Sequence, residues 1–88
     1  MNGVLTSEPV RANLLAYLEQ RTKTQVTPDL DLFGSGLVSS LFALQLVVHI
    51  EQSFGVTISG PDLKLDNFRS ADAMTALVLR LREQASDE

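Results

Sequence analysis

Apolar residues recur at helical spacing in three stretches of this chain, and segments bearing Gly or Pro separate them. Val10, Leu14, Tyr17 and Leu18 share one face of a helix expected from about Glu8 to Arg21. Thr6 or Ser7 can cap it, and Pro9 sits in the first turn, where a missing N–H costs nothing. On a second helix, about Ser40 to Phe54, Ala43, Leu46, Val47, Ile50 and Phe54 fall within an arc of roughly 100°. Ser70 suits the cap of a last helix reaching about Arg82, with Asp72 in its first turn and Met74, Leu77, Val78 and Leu81 inward.

The connections read differently. Residues 22–39 carry Pro28, Gly34 and Gly36 and form a long loop, which Val26, Leu30, Leu32, Phe33 and Leu37 are expected to pin onto the core. Val56, Thr57 and Ile58 alone could be a strand, but one short apolar run without a pairing partner argues against a sheet. Gly60 and Pro61 instead suit a short helix from Pro61 to about Asp66. The pattern predicts an all-α fold, a small four-helix bundle of three longer helices and one short one. It forms a single domain over residues 1–88, with an ordered core of about 6–82 and mobile ends at 1–5 and 84–88.

The second helix holds more apolar surface than a core face needs. Opposite the core arc lie Gln45, His49 and Gln52, yet Leu41, Phe42 and Val48 fall within about 60° of that polar stripe, with Leu44 at the flank. Leu41, Phe42, Leu44, Gln45 and Val48 therefore form an expected partner-binding face; packing by the long loop, or dimerisation, are the alternatives. His49 reads as a solvent-side residue of the stripe. At the start of the helix, Ser39 can cap by accepting a backbone N–H bond, leaving Ser40 as an early, outward helical residue. A phosphate ester on Ser40 would meet unpaired amides and the positive end of the helix dipole. On local chemistry alone, the pair reads as nothing more than a cap.

Composition narrows the function classes. With no Cys, the chain has neither a disulfide framework nor a thiolate metal site, and no metal ligand set stands out beside its single His. The net charge of −4 argues against a nucleic-acid surface, and no stretch is apolar enough for membrane insertion. A cytoplasmic protein is the expectation. Asp29, Asp31, Glu51, Asp62, Asp66 and Asp72 face only Lys64 and Arg69 between residues 27 and 72, an acidic middle that could steer basic partners or be a plain solvated surface. Intrinsic catalysis is not expected: His49 lies on the order of 13 Å along the helix from Ser40, and no nucleophile elbow is present.

Gly36, Leu37, Ser40, Leu41, Leu44, Leu46, Val47, Ile50, Glu51 and Phe54 together resemble the modification site of the acyl carrier protein family, and the resemblance extends from about Val10 to Leu81. It implies that Ser40 carries 4′-phosphopantetheine, whose thiol holds an acyl group as a thioester. It also implies a long loop between the first two helices, and as partners a phosphopantetheinyl transferase with acyl-loading, acyl-modifying and acyltransferase or synthase enzymes. The family usually has Asp before the modified Ser; Ser39 supplies the cap bond without the charge.

Within that family, the stretches at 40–56 and 62–70 look like small freestanding, monomeric carriers of methoxymalonyl, hydroxymalonyl or aminomalonyl extender units for polyketide and antibiotic assembly. Residues 36–41 and 45–56 also look like D-alanyl-type or aminoacyl carriers. A helical protein-interaction module without a prosthetic group is the rival from another class.

Overall fold

The computed structural model describes residues 6–86, so the end expected to be mobile at 1–5, and residues 87–88 of the one expected at 84–88, lie outside the described residues. Helix α1 spans Ser7–Thr22, α2 spans Ser40–Phe54 and α3 spans Ala71–Ser86. Among the described residues there is no strand. The short helix expected from Pro61 to Asp66 is instead two 3-10 turns, Gly60–Asp62 and Leu65–Phe68. Lys64 between them is extended and breaks what would have been one helix. The last helix runs past the expected end at Arg82, so residues 84–86 belong to α3 rather than to a tail.

One core draws on all three α-helices and the second 3-10 turn. Val10, Leu14 and Leu18 from α1 meet Leu46 and Ile50 from α2, Phe68 from the second 3-10 turn, and Met74, Leu77, Val78 and Leu81 from α3. The long loop is packed down by Val26, Leu32 and Val38, all buried, with Leu30, Phe33 and Leu37 half-buried beside them. Burying such a loop requires its amides to be paired. The Leu32 N–H bonds Arg69 O at 2.7 Å, and the Asp72 N–H bonds Pro28 O at 2.9 Å, tying the loop to the start of α3. Val56 and Ile58 are buried as well, so the apolar Val56–Ile58 run is a packed connection without strand pairing.

Both α1 and α2 end in the same way. Each stops at a left-handed residue, Lys23 at φ 59° and Gly55 at φ 66°, whose N–H bonds the carbonyl of a Glu four residues back. The carboxylate of that Glu then reaches seven residues forward: Glu19 Oε2 accepts from the Val26 N–H at 2.9 Å, and Glu51 Oε2 accepts from the Ile58 N–H at 2.8 Å. Each carboxylate thus satisfies a partly buried amide at the point where the loop turns back into the core.

Candidate functional site

The backbone at the start of α2 is shaped by the loop before it. Asp31 Oδ1 accepts from the Gly34 N–H at 2.9 Å, and Asp31 O accepts from the Ser35 N–H at 2.9 Å, which folds the chain back on itself. A Cβ at residue 34 would meet the Asp31 carboxylate and displace it from this turn, which favours glycine there. That Gly34 bond and the Arg69 guanidinium at 3.2 Å hold the Asp31 carboxyl below its usual range. Gly36 then takes a φ of 80°, a conformation that suits glycine, and Val38 is buried just ahead of the helix.

Ser39 is the N-cap of α2: its backbone is extended, and its Oγ accepts from the Phe42 N–H at 3.3 Å while its carbonyl accepts from the same N–H at 3.0 Å. Ser40 is the first helical residue. Its side chain is exposed, and among the described residues its hydroxyl has no hydrogen-bond partner and the N–H groups of Ser40 and Leu41 have no acceptor. A hydroxyl free of partners, beside open amides at a helix N-terminus, is an arrangement in which a phosphodiester is favoured by both hydrogen bonding and the dipole. The residues present therefore fit a phosphate ester at Ser40.

Down the helix, the structure divides the five residues expected to face partners. Leu41, Leu44 and Val48 are 73%, 62% and 51% exposed and follow one another at i, i+3 and i+7, a continuous open stripe beginning next to Ser40. Leu44, expected only at the flank, is thus a full member. Phe42 is not part of the stripe. It is half-buried, its ring stacked on Tyr17 of α1 with centroids 6.2 Å apart. Gln45 is exposed, and its Oε1 accepts from Arg21 Nη2 at 2.6 Å.

His49 also departs from its expected place in solvent. Its ring is stacked on Tyr17 at 3.8 Å, and its Nε2 lies 2.8 Å from Asn13 Oδ1. A carboxamide oxygen only accepts, so that nitrogen carries the proton. Partial burial, and then the charge of Arg21, hold the imidazole below its usual pKa of 6.5. Tyr17, Arg21 and Asn13 were missed as neighbours of the site helix because the helical wheel of α2 says nothing about which flank α1 covers. Tyr17 in particular belongs, by its spacing, to the core face of its own helix.

The acidic middle segment is largely engaged within the fold. Asp72 pairs with Arg11 at 2.8 Å, Asp62 with Arg80 at 2.9 Å, and Asp31 and Asp66 both with Arg69. Glu51 is bound to Ile58. Of the six acids, Asp29 alone has no partner among the described residues. The open stripe of α2 is accordingly apolar and uncharged, with Arg21 at its edge. Among the described residues no group of His, Asp and Glu could hold a metal ion, and no helix is long and apolar enough to cross a membrane.

A family profile described as the phosphopantetheine attachment site matches residues 12–83, most of the chain. No curated protein matches it.

Proposed function

Because this chain belongs to the phosphopantetheine attachment site family, whose members carry 4′-phosphopantetheine covalently on a serine and meet a phosphopantetheinyl transferase and acyl-handling enzymes, we propose that Ser40 is the attachment point. The whole chain then acts as one acyl carrier domain. The observation that carries this reading is the hydroxyl of Ser40, exposed and, among the described residues, without a hydrogen-bond partner at the first residue of α2. Ser35 and Ser39 are already committed: Ser35 Oγ donates to Leu32 O at 3.2 Å, and Ser39 Oγ accepts at the cap.

In the modification, Ser40 Oγ bonds to the phosphorus that bears the pantetheine in coenzyme A. The bond to the nucleotide phosphate breaks, and that nucleotide leaves with its electron pair. The Oγ proton must pass to a base on the transferase, because His49 is held in the seam with α1 and lies about 13 Å along the helix axis. Once attached, the group supplies a terminal thiol that holds the acyl unit as a thioester. Ser39 orients the helix start, and the residues of α2 present the loaded serine to partner enzymes.

As cargo we favour an oxygenated or aminated malonyl extender unit for polyketide assembly; the support is the likeness of residues 40–56 and 62–70 to carriers of such units. Intact mass spectrometry after incubation with coenzyme A and a broad-specificity phosphopantetheinyl transferase tests the attachment. The wild-type chain should gain one phosphopantetheinyl group and Ser40→Ala none, with unchanged helix content by circular dichroism. A modified Ser40→Ala chain would overturn the assignment. The hydroxylamine-labile acyl mass on the carrier, after incubation with its loading enzyme, tests the cargo.

A further inference from the structure

Between α1 and α2 runs an open groove in two contiguous hollows. One, of about 600 Å³, is lined by Tyr17, Gln20, Arg21, Lys23, Phe42 and Gln45. The other, of about 420 Å³, shares Tyr17, Arg21 and Gln45 and adds Leu44, Val48, His49 and Gln52. Among the described residues, two cations and three primary amides line this groove, and no carboxylate does. That is unusual in a chain of net charge −4, in which Arg11, Arg69 and Arg80 are each paired with a carboxylate.

Arg21 has no carboxylate partner among the described residues. It is nevertheless held in place, with Nη2 bound to Gln45 Oε1 at 2.6 Å and its guanidinium over the Tyr17 ring at 5.3 Å. The neutral Gln45 satisfies one donor and leaves the rest of the planar fork free for a two-pronged bond to a carboxylate. A cation fixed before its anion arrives pays little ordering entropy when it binds. The approach is apolar: Leu41 and Leu44 lie between Ser40 and the groove, and Gln45 stands only about 7.5 Å along the axis from Ser40. A flexible arm on Ser40 can therefore cross the stripe and set its tip at Arg21.

Taking the carrier reading as given, we propose that this groove binds the free carboxylate of an acyl unit carried on Ser40, with Arg21 as its counter-ion and Gln45 as its positioning residue. The groove would then select dicarboxylic half-thioesters over plain acyl chains. It would also hold the carboxylate against the chain until a partner enzyme displaces it.

The test loads the apo protein from malonyl-coenzyme A or butyryl-coenzyme A with a broad-specificity transferase, verifies loading by intact mass, and compares the two forms by nuclear magnetic resonance. The malonyl form should shift the Arg21 Nε–H, the Gln45 side-chain amide and the Tyr17 ring relative to the butyryl form. It should also raise the His49 titration midpoint, because an added negative charge offsets that of Arg21. In Arg21→Gln, both differences should vanish while loading and thermal stability stay at wild-type levels; this side chain is exposed, so folding is not at stake. Identical spectra for two loaded forms, or a difference that persists in Arg21→Gln, overturn the groove proposal and leave the carrier reading intact. Failure of the mass gain at Ser40 overturns the carrier reading and the groove proposal together.

Discussion

Leu41, Leu44 and Val48 on one flank of α2 stand open to solvent, whereas Phe42 and His49 on the other are half-buried against Tyr17 of α1. Both flanks lie outside the core arc of Ala43, Leu46 and Ile50, and both are rich in apolar or aromatic atoms. What separates them is the neighbour. A single aromatic side chain from α1 covers Phe42 and His49, while nothing in the described chain covers the stripe that starts beside Ser40. Apolar character on a helix face is therefore no measure of burial, and only uncovered apolar surface is available to a partner.

The largest contrast is in stability. Leu46 is fully buried, so Leu46→Ala should cost about 2 to 5 kcal/mol through lost transfer energy and the cavity left behind. Phe42→Ala, which removes a half-buried ring stacked on Tyr17, should cost roughly 1 to 2 kcal/mol, less than a fully buried aromatic. Urea melts of the two variants measure the difference. If Phe42→Ala proves neutral, the covered flank contributes nothing to the fold, and the division of α2 into two flanks collapses.

A smaller effect should come from pH. The imidazole of His49 is held below its usual pKa by partial burial and then by Arg21. As pH falls from above 6.5, the unfolded chain takes up a proton before the folded one does, so stability is full above about 6.5 and is lost as pH falls towards the lower, folded-state value. Below that value the loss stops growing. His49→Gln should flatten stability across this window and leave the acid limb, where carboxylates titrate, unchanged. A wild-type chain with no slope between pH 7 and the folded-state midpoint would show that His49 titrates as it does in solvent, and so belongs with the open flank.

The helices were legible because periodicity and caps agree. Ser39, Ser40, Gly55 and Ser70 mark ends that local chemistry decides, and the α2 limits follow from them. The pinning of the long loop was legible too, since Val26 and Leu32 are apolar residues with nowhere else to go. Less visible was the breaking of the short helix into two 3-10 turns, because the extended Lys64 between them carries no sequence signal of its own. The exposure and orientation of Ser40 could be read from its place one residue after the cap. The seam could not, because whether Tyr17 lies over Phe42 and His49 depends on the packing of two helices separated by the loop at 23–39. The spacing of Tyr17, Arg21, Gln45 and His49 along the chain holds no trace of the groove they share.

The smallest effect on stability should come from the open flank, and there the comparison becomes functional. Leu44→Ala and Val48→Ala remove side chains that are more than half exposed, so each should change stability by no more than about 0.5 kcal/mol. Their exposure makes sense if a partner covers them. Truncating an apolar residue that a partner buries costs more than about 1 kcal/mol of binding at the few positions that dominate an interface, roughly a fivefold loss in kcat/KM. Measured with an enzyme that loads or unloads the thioester, Leu44→Ala and Val48→Ala should therefore slow transfer about fivefold or more while both proteins melt like wild type and accept modification at Ser40. Phe42→Ala should show the opposite balance, with lower stability and transfer by the folded fraction close to wild type. Equal transfer rates for wild type, Leu44→Ala and Val48→Ala would mean that partners dock elsewhere, and the open stripe would then be no more than the exposed apolar surface common to small domains.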